Sequence, residues 1–318
     1  MADHIEAAYG GAGWSPRTQS TRDEIGRMWR ACGVDTEWRR LRSVLLHCPG
    51  PEWEAIDDPN MAQMLERPEL APARAEHCAL AEAYRACGVT VNMVEPEIVP
   101  PPNLLFVADL LFPTPEGVLL GRPASTVRAG EECFVARRLA QLGIPVIGMV
   151  HGTAVFEGAD AMWVDPTTAL VASGLRTNDE GAAQVTRILR ETGVEAITVG
   201  LSFGAMHLMG TFRIVDRDLA FAWANRVPFK VVEVLRAWDF EVRFMPDEQE
   251  VIERAALNIV ILGPRRILMP AGCPVSQAFY EASSVTCTTV DVSELGKAAG
   301  SIGCMTGILE REMDRGSL

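Results

Sequence analysis

The residues that could do chemistry in this chain occupy similar places in consecutive segments. The segments NLLFVAD, VFEGAD and GAMHLMG each set polar side chains inside an apolar run: Asp109 in the first, Glu157 and Asp160 in the second, His207 in the third. Burying an unpaired carboxylate is unfavourable, so we expect these carboxylates to pair with a cation. A histidine beside them could transfer a proton to or from the bound group.

Cys304 is the candidate nucleophile. It lies in GSIGCMTGIL, where small residues precede it and the stretch MTGILEREMD, which reads as a helix, follows it. A cysteine at a helix N-terminus has a lowered pKa, because the helix dipole favours the thiolate. We expect Gly300 and Gly303 to leave room for a substrate beside the backbone. A cysteine next to glycine is by itself more often structural, so the prediction depends on its combination with His207 and the carboxylates.

The elements that must position these residues form an internal repeat. Turn signals begin at Thr114, Asp165, Asp216 and Gly263, which are 51, 51 and 47 positions apart. An apolar, strand-like run lies on either side of each turn. Each hairpin leads into a stretch with helical spacing, such as EGAAQVTRILRETG, and then into another strand. A degenerate first copy begins at LRSVLLHCPG, so the repeat unit is ββαβ.

Five such units across residues 37–318 predict an α/β fold that closes into a ring, a five-bladed α/β propeller with pseudo-fivefold symmetry. One unit cannot bury its own apolar face, and a closed ring gives each unit two neighbours. The polar segments would then meet on the ring axis. The alternative is an open α/β sheet without a true repeat. We expect residues 1–36 to be an N-terminal extension and residues 37–318 to form a single catalytic domain.

The composition limits the kinds of molecule that the protein is expected to bind. The chain has 318 residues and a formal net charge of −13, which argues against nucleic-acid binding and is compatible with attracting a cationic small molecule. No apolar run approaches the ~18 residues of a membrane span, and the N-terminus has no apolar signal core. We therefore expect a cytoplasmic protein. The eight cysteines show neither C-x-x-C pairs nor zinc-ligand spacing, so we expect no metal and no cofactor.

Several ordered motifs resemble those of one superfamily. PPPNLLFVAD (100–109), FEGAD (156–160), MHLMGTFRIVD (206–216) and GSIGCMT (300–306) look like the motifs of the guanidine-modifying pentein superfamily. Its members include arginine deiminases, dimethylarginine dimethylaminohydrolases and amidinotransferases. The stretches GLRTNDEGA (174–182) and RPASTVRAGEE (122–132) are similar to segments of the dimethylarginine hydrolases. The resemblance implies the five-unit ring and a small cationic guanidino substrate.

The resemblance also implies roles for the reactive residues. Cys304 would attack the central guanidinium carbon and form a covalent amidino-thioether. His207 would protonate the departing amine or ammonia and later activate water. Glu157 would orient His207 or contact the guanidinium, and Asp109 would pair with guanidinium nitrogens, as would Asp160. This scheme agrees with the chemistry, because a thiolate splits one difficult displacement into two easier ones.

The remaining site predictions concern the rest of the substrate. The resemblance makes Arg128 and Arg176 candidates to hold a substrate carboxylate, and Phe106 is a candidate for an apolar wall of the pocket. Met209 stands where the arginine deiminases carry a second carboxylate. This departure indicates a substituted or less polar guanidine rather than free arginine.

Three other functions compete with the hydrolase. An amidinotransferase would share the first half-reaction and pass the amidino group to an amine instead of water. A non-catalytic pentein could act as a binding or assembly module. A protease or transglutaminase would use the same cysteine and histidine. The chain lacks a partner Gln or Asn motif for these enzymes, so this alternative ranks last. The outer helices of the ring are compatible with a homodimer.

Overall fold

The structure is a computed structural model that describes residues 5–314. In this range the chain forms fifteen strands, and most of them follow the predicted hairpins. The strands are β1 Leu41–Leu46, β2 Thr90–Met93, β3 Leu111–Thr114, β4 Gly117–Leu120, β5 Val146–Met149, β6 Ala161–Asp165, β7 Thr168–Ser173, β8 Glu195–Gly200, β9 Phe212–Asp216, β10 Leu219–Ala222, β11 Glu241–Phe244, β12 Val260–Gly263, β13 Arg266–Pro270, β14 Thr286–Val290 and β15 Gly307–Arg311.

The described range also contains nine α-helices. They are α1 Thr21–Glu24, α2 Leu70–Ala86, α3 Glu131–Leu142, α4 Asp179–Glu191, α5 Phe229–Ala237, α6 Glu248–Glu253, α7 Pro274–Ala282, α8 Ser293–Gly296 and α9 Ile302–Met305. Short 3-10 turns occur at Ala7–Tyr9, Pro51–Trp53, Val107–Leu110, Thr126–Arg128, Gly158–Asp160 and Leu208–Gly210. None of the helices from 5 to 314 is long and apolar enough to cross a lipid bilayer.

The strands form five sheets of three strands each in the described chain. In every sheet two antiparallel strands are followed by a helix and a third strand that pairs in parallel with the middle one. In the third unit, for example, Met162 of β6 pairs with Leu170 of β7, which pairs with Ile197 of β8. Helix α4 packs on this sheet through Ala182, Val185 and its other buried residues. The predicted ring of five ββαβ units is confirmed.

The first unit is completed by the C-terminal end of the chain. Strand β15 pairs antiparallel with β1, where Val44 lies opposite Ile308, and β1 pairs in parallel with β2. The prediction of a helix over MTGILEREMD was therefore wrong. Helix propensity is a weak preference, and pairing with β1 satisfies the backbone hydrogen bonds of this segment. Burial alternates along β15, with Gly307, Leu309 and Arg311 buried, as expected for a strand.

The segment before the first unit packs against the ring. The Gly33 nitrogen donates to the Leu309 carbonyl, and the Arg30 nitrogen donates to the Gly143 carbonyl. Ile25 and Cys32 are buried in the same apolar cluster as residues of α3. Residues 1–4 and 315–318, which are the outer ends of the two predicted segments, lie outside the described residues.

Candidate active site

The reactive residues stand just before the first strands of successive units. Asp109 lies in the 3-10 turn that leads into β3, Glu157 precedes the turn that leads into β6, and His207 precedes the turn that leads into β9. Because these inner strands surround the ring axis, the three side chains converge at one end of it. Asp109 and His207 line a pocket there, together with four other predicted site residues: Phe106, Arg128, Arg176 and Cys304.

A histidine held between two carboxylates forms the centre of the site. His207 Nε2 lies 2.7 Å from Glu157 Oε2 and 3.7 Å from Asp109 Oδ1. Burial alone would lower the pKa of His207, but Asp109 and Glu157 outweigh it and raise the pKa to about 9. Burial likewise opposes ionisation of Glu157, and the hydrogen bond from His207 brings its pKa down to about 2. At neutral pH this pair is an imidazolium and a carboxylate.

Arg128 joins the carboxylates of the site into one network. Its Nη1 lies 2.6 Å from Asp109 Oδ2 and 3.4 Å from Glu157 Oε2, and its Nε and Nη2 donate to Glu131 Oε2 at 3.0 and 2.8 Å. Burial disfavours the guanidinium, but these carboxylates hold the pKa of Arg128 above its ordinary value. Burial raises the pKa of Glu131 to about 7 despite the attraction of Arg128. All donors of Arg128 therefore face groups of the protein itself.

Three groups of the centre are close enough together to hold a metal ion. The ligand atoms of Asp109, Glu157 and His207 lie within 4.8 Å of one another. However, Arg128 Nη1 occupies the same space with a fixed positive charge, 2.6 Å from Asp109. Like charges repel strongly in a buried site, so this cation disfavours a divalent metal there.

Cys304 is held by an asparagine that the sequence analysis did not single out. Asn258 Nδ2 lies 3.0 Å from Cys304 Sγ, and its Oδ1 accepts from the nitrogens of Gly303 and Cys304 at 2.7 and 3.3 Å. Burial raises the pKa of Cys304 above its ordinary value and Asp109 adds to the shift, whereas the Asn258 hydrogen bond opposes it. The expected lowering by a helix dipole is therefore corrected. Cys304 is the third residue of the four-residue helix α9, and a strand follows.

The two glycines near Cys304 serve packing within the protein. A Cβ at Gly300 would collide with the ring of Phe106, and a Cβ at Gly303 would collide with Arg213 Nη2. The space that these glycines provide is occupied by those side chains. The expectation that Gly300 and Gly303 leave room for a substrate is therefore corrected.

Two predicted binding residues lie at different depths from the pocket. Asp160 is fully buried and accepts from Thr177 Oγ1 at 2.7 Å and from the Leu208 nitrogen at 2.9 Å, and it is not one of the residues that line the pocket. Burial raises its pKa to about 6. Arg176 lies at the pocket mouth, where its Nη1 is 3.6 Å from Glu157 Oε1 and 3.4 Å from Gln63 Oε1. The structure thus brings Arg176, but not Asp160, to the pocket.

Met209 occupies a place that the sequence analysis did not anticipate. It lines a cavity among the inner strands at the ring axis, whereas His207, two residues earlier, lines the pocket itself. A carboxylate at position 209 would therefore face the axial cavity instead of the pocket.

Three residues of the site escaped sequence reasoning. Asn258 precedes β12 as Asp109 precedes β3, so the repeat itself could have identified it. Glu131 is the first residue of α3 and reads as an ordinary acidic residue at a helix start. Gln63 bridges Arg176 and Ser125 across the mouth, but it comes from an irregular segment without a sequence signal.

Five ββαβ units around an axis, with a cysteine, a histidine and carboxylates at one end, define the pentein class of enzymes. A family model described as arginine deiminase matches residues 92–256, which is more than half of the chain. The protein belongs to this family. Membership of the pentein superfamily is therefore confirmed, and with it the predicted enzyme class, a hydrolase of C–N bonds in guanidino compounds.

Individual relatives agree with this assignment. The chain is 25% identical over 242 residues to N(G),N(G)-dimethylarginine dimethylaminohydrolase of Pseudomonas aeruginosa, covering 76% of this chain and 90% of the relative. Among solved structures, the amidinotransferase SxtG of Microseira wollei matches 90% of this chain and 99% of its own with a TM-score of 0.74 and 14% identity. The N-terminal domain of ArgZ, a cyanobacterial arginine dihydrolase, matches 84% and 98% with a TM-score of 0.72 and 17% identity. The two structural matches establish the shared fold.

Proposed function

We propose that the protein hydrolyses a C–N bond of a small guanidino compound through a covalent intermediate on Cys304. The observation that carries the proposal is the placement of His207, held 2.7 Å from Glu157, in the same pocket as Cys304. A guanidine releases an amine only if the leaving nitrogen is protonated, and His207 with a pKa of about 9 is charged at neutral pH.

Binding of the cationic substrate would activate the nucleophile. In the free protein, burial and Asp109 keep the Cys304 thiol protonated. A guanidinium beside Asp109 would offset that negative charge and add a positive one, which favours the thiolate. The Asn258 amide, 3.0 Å from Sγ, then donates to the sulfur. The reactive thiolate is thus expected to form mainly when the substrate is present.

The reaction then proceeds in two displacement steps. The sulfur of Cys304 attacks the central carbon and forms an S–C bond. The bond from that carbon to the leaving nitrogen breaks as His207 donates its proton to that nitrogen. Water next attacks the same carbon and gives one proton to His207, the S–C bond breaks with its electron pair on sulfur to restore the thiolate, and the second water proton leaves the product oxygen for solvent. The products are an amine or ammonia and a ureido compound.

The carboxylates and arginines divide into two roles under this proposal. Asp109 would contact the guanidinium, and Phe106 would form an apolar wall beside it. Glu157, which is hydrogen-bonded to His207, would orient that histidine. The position of Arg176 at the pocket mouth supports its proposed role as a ligand of a substrate carboxylate. Arg128 is engaged by three carboxylates and Asp160 by Thr177 and Leu208, so we assign both to positioning the site.

The relatives indicate which substrates to test first. A structure of the Pseudomonas aeruginosa dimethylarginine dimethylaminohydrolase contains citrulline, the ureido amino acid. We propose Nω-substituted arginine derivatives as the first class, with residues 37–318 as the catalytic domain. Transfer of the amidino group to an amine is the second candidate, supported by the fold that the protein shares with the amidinotransferase SxtG. The cytoplasmic location and the homodimer stay predictions.

Labelling with 2-chloroacetamidine tests the proposal. This amidine-bearing alkylating probe should modify Cys304 selectively among the eight cysteines, and a guanidino substrate should protect it. Cys304→Ala should abolish amine release, with a loss of roughly 10⁴-fold or more. Cys133→Ala, at an exposed cysteine, is the matched control and should keep full activity. Scattered labelling, or activity in Cys304→Ala, would contradict the proposal. Product analysis with and without an acceptor amine separates hydrolysis from transfer.

A further inference from the structure

A second cavity lies among the inner strands at the ring axis. It has a volume of about 70 Å³, and the first strand of every unit contributes to its wall: β15, β3, β6, β9 and β12. Its lining includes residues one or two positions away from site residues, namely Ala108, Gly158, Met209 and Gly303. The catalytic scheme uses none of its polar side chains.

Two buried arginines give this cavity its charge. Arg213 is 4% exposed and Arg311 is 3% exposed. Arg311 Nη1 donates to the carbonyls of Arg39 and Ile261 at 2.7 and 2.8 Å. Arg213 Nε lies 3.4 Å from the Leu257 carbonyl, and its Nη2 has no hydrogen-bond partner among residues 5–314. Both guanidinium groups thus contact neutral carbonyls.

One carboxylate also lines the cavity and compensates part of this charge. Glu37 reaches the wall, where its Oε1 accepts from the Trp163 nitrogen at 3.0 Å. Burial lowers the pKa of Arg213 and brings that of Arg311 to about 10, with Glu37 opposing both shifts. A guanidinium keeps its proton in proteins, so both arginines count as cations. Two cations and one carboxylate leave a formal charge of 2 − 1 = +1 on the cavity wall.

We propose that the axial cavity binds one small monovalent anion of the halide class, such as chloride, against Arg213 Nη2. A buried cation is costly without a counter-charge, and a single negative charge would balance this wall. A guanidinium nitrogen without a partner is a strong donor to an anion. The other walls are largely apolar, including Phe112, Met162 and Ile261, which favours a weakly hydrated ion.

The size of the cavity supports the same ligand class. One water needs roughly 10–15 Å³ on the same measure, so 70 Å³ accommodates one halide with a few waters. The double negative charge of an oxyanion such as sulfate would exceed the +1 charge of the cavity wall. Such an ion would also lose more hydration energy on entry. The inference does not depend on the proposed chemistry, because it concerns binding at the arginines alone.

Crystals grown without halide and soaked in sodium bromide provide the direct test. We expect an anomalous bromide peak inside the cavity, in contact with Arg213 Nη2. Water alone in the cavity, with bromide only at the protein surface, would overturn the proposal. This measurement uses the unchanged protein, so it stays decisive if a variant fails to fold.

Thermal unfolding provides the second test. At constant ionic strength, replacing gluconate with bromide at about tenfold its Kd should raise Tm by roughly 2–4 °C. Arg213→Met should remove this dependence. Arg187→Met, which removes an equal charge from the exposed face of α4, should keep it. An equal bromide response in both variants would show a general salt effect and overturn the proposal.

Discussion

The active-site pocket and the axial cavity are built on the same inner strands, but their buried arginines have different hydrogen-bond partners. In the pocket, Arg128 lies within 3.4 Å of carboxylates from Asp109, Glu131 and Glu157. In the cavity, Arg213 and Arg311 donate to backbone carbonyls. The arginine of the pocket is therefore paired with carboxylates, whereas the cavity carries an excess of positive charge.

This difference shows what each region is suited to bind. The carboxylates of the pocket are fixed by Arg128 before any ligand arrives, so they can receive a guanidinium without rearrangement. The cavity offers donors instead of acceptors. Residues close together in the chain serve the two regions, since His207 lines the pocket whereas Arg213 lines the cavity.

The largest expected effect compares the two kinds of arginine directly. Arg128→Met leaves buried carboxylates without a counter-ion and should cost about 3–5 kcal/mol of unfolding free energy. Arg213→Met, in halide-free buffer, removes an incompletely compensated cation and should change stability by less than about 1 kcal/mol. Urea unfolding of both variants measures the difference. Similar losses would show that the two arginines are equally well paired.

Two of the three histidines that are buried among residues 5–314, His77 and His207, should respond to pH with opposite signs. Burial lowers the pKa of His77 to about 4, so its contribution to stability is present above pH 6.5 and is lost as the pH falls from 6.5 to 4. The pKa of His207 is raised to about 9, so its contribution to stability is present below pH 6.5 and is lost as the pH rises through 9.

Urea unfolding between pH 4 and 7 tests the first of these signs. The loss attributable to His77 should be about 3 kcal/mol over that range. His77→Phe should flatten the pH dependence, and His151→Phe, at an exposed histidine, should leave it unchanged. An unaltered slope in His77→Phe would exclude His77 as the source.

Weakening the paired network should change the pH profile of catalysis. Glu157→Gln removes a carboxylate that raises the pKa of His207, so the imidazolium is lost at lower pH. We expect the basic limb of kcat to move to lower pH and the maximum rate to fall about 10²-fold. Glu191→Gln on the exposed face of α4 is the control. A lower rate with an unmoved basic limb would show that Glu157 does not tune His207.

The smallest expected effect concerns the support of the nucleophile. Asn258→Ala removes the donor to Cys304 Sγ and should raise the pKa of the thiol. Alkylation by 2-chloroacetamidine at neutral pH should slow roughly tenfold, as expected for one hydrogen bond to a charged sulfur. Asn225→Ala, at an exposed asparagine, should not alter the rate. An unchanged rate in Asn258→Ala would show that Asn258 holds the Gly303 backbone without affecting the thiol.

The sequence predicted the hairpins and outer helices well because their signals are local. The turn at 165–168 joins β6 to β7, and the helical spacing of EGAAQVTRILRETG became α4. The segment after Cys304 failed because its partner, β1, lies more than 250 residues away. Local spacing contains no information about such a partner, and the pairing outweighed helix propensity.

The repeat in the sequence specifies which residue types stand before each inner strand: Asp109, Glu157, His207 and Asn258. What each of these side chains faces depends on how the five units pack together. Ring closure brings Arg128 onto the carboxylates and places Asp160 behind the pocket, held by Thr177 and Leu208. The physical reason is that charge pairing depends on distances between units some 50 residues apart, whereas periodicity reports only on the burial of each unit's own face.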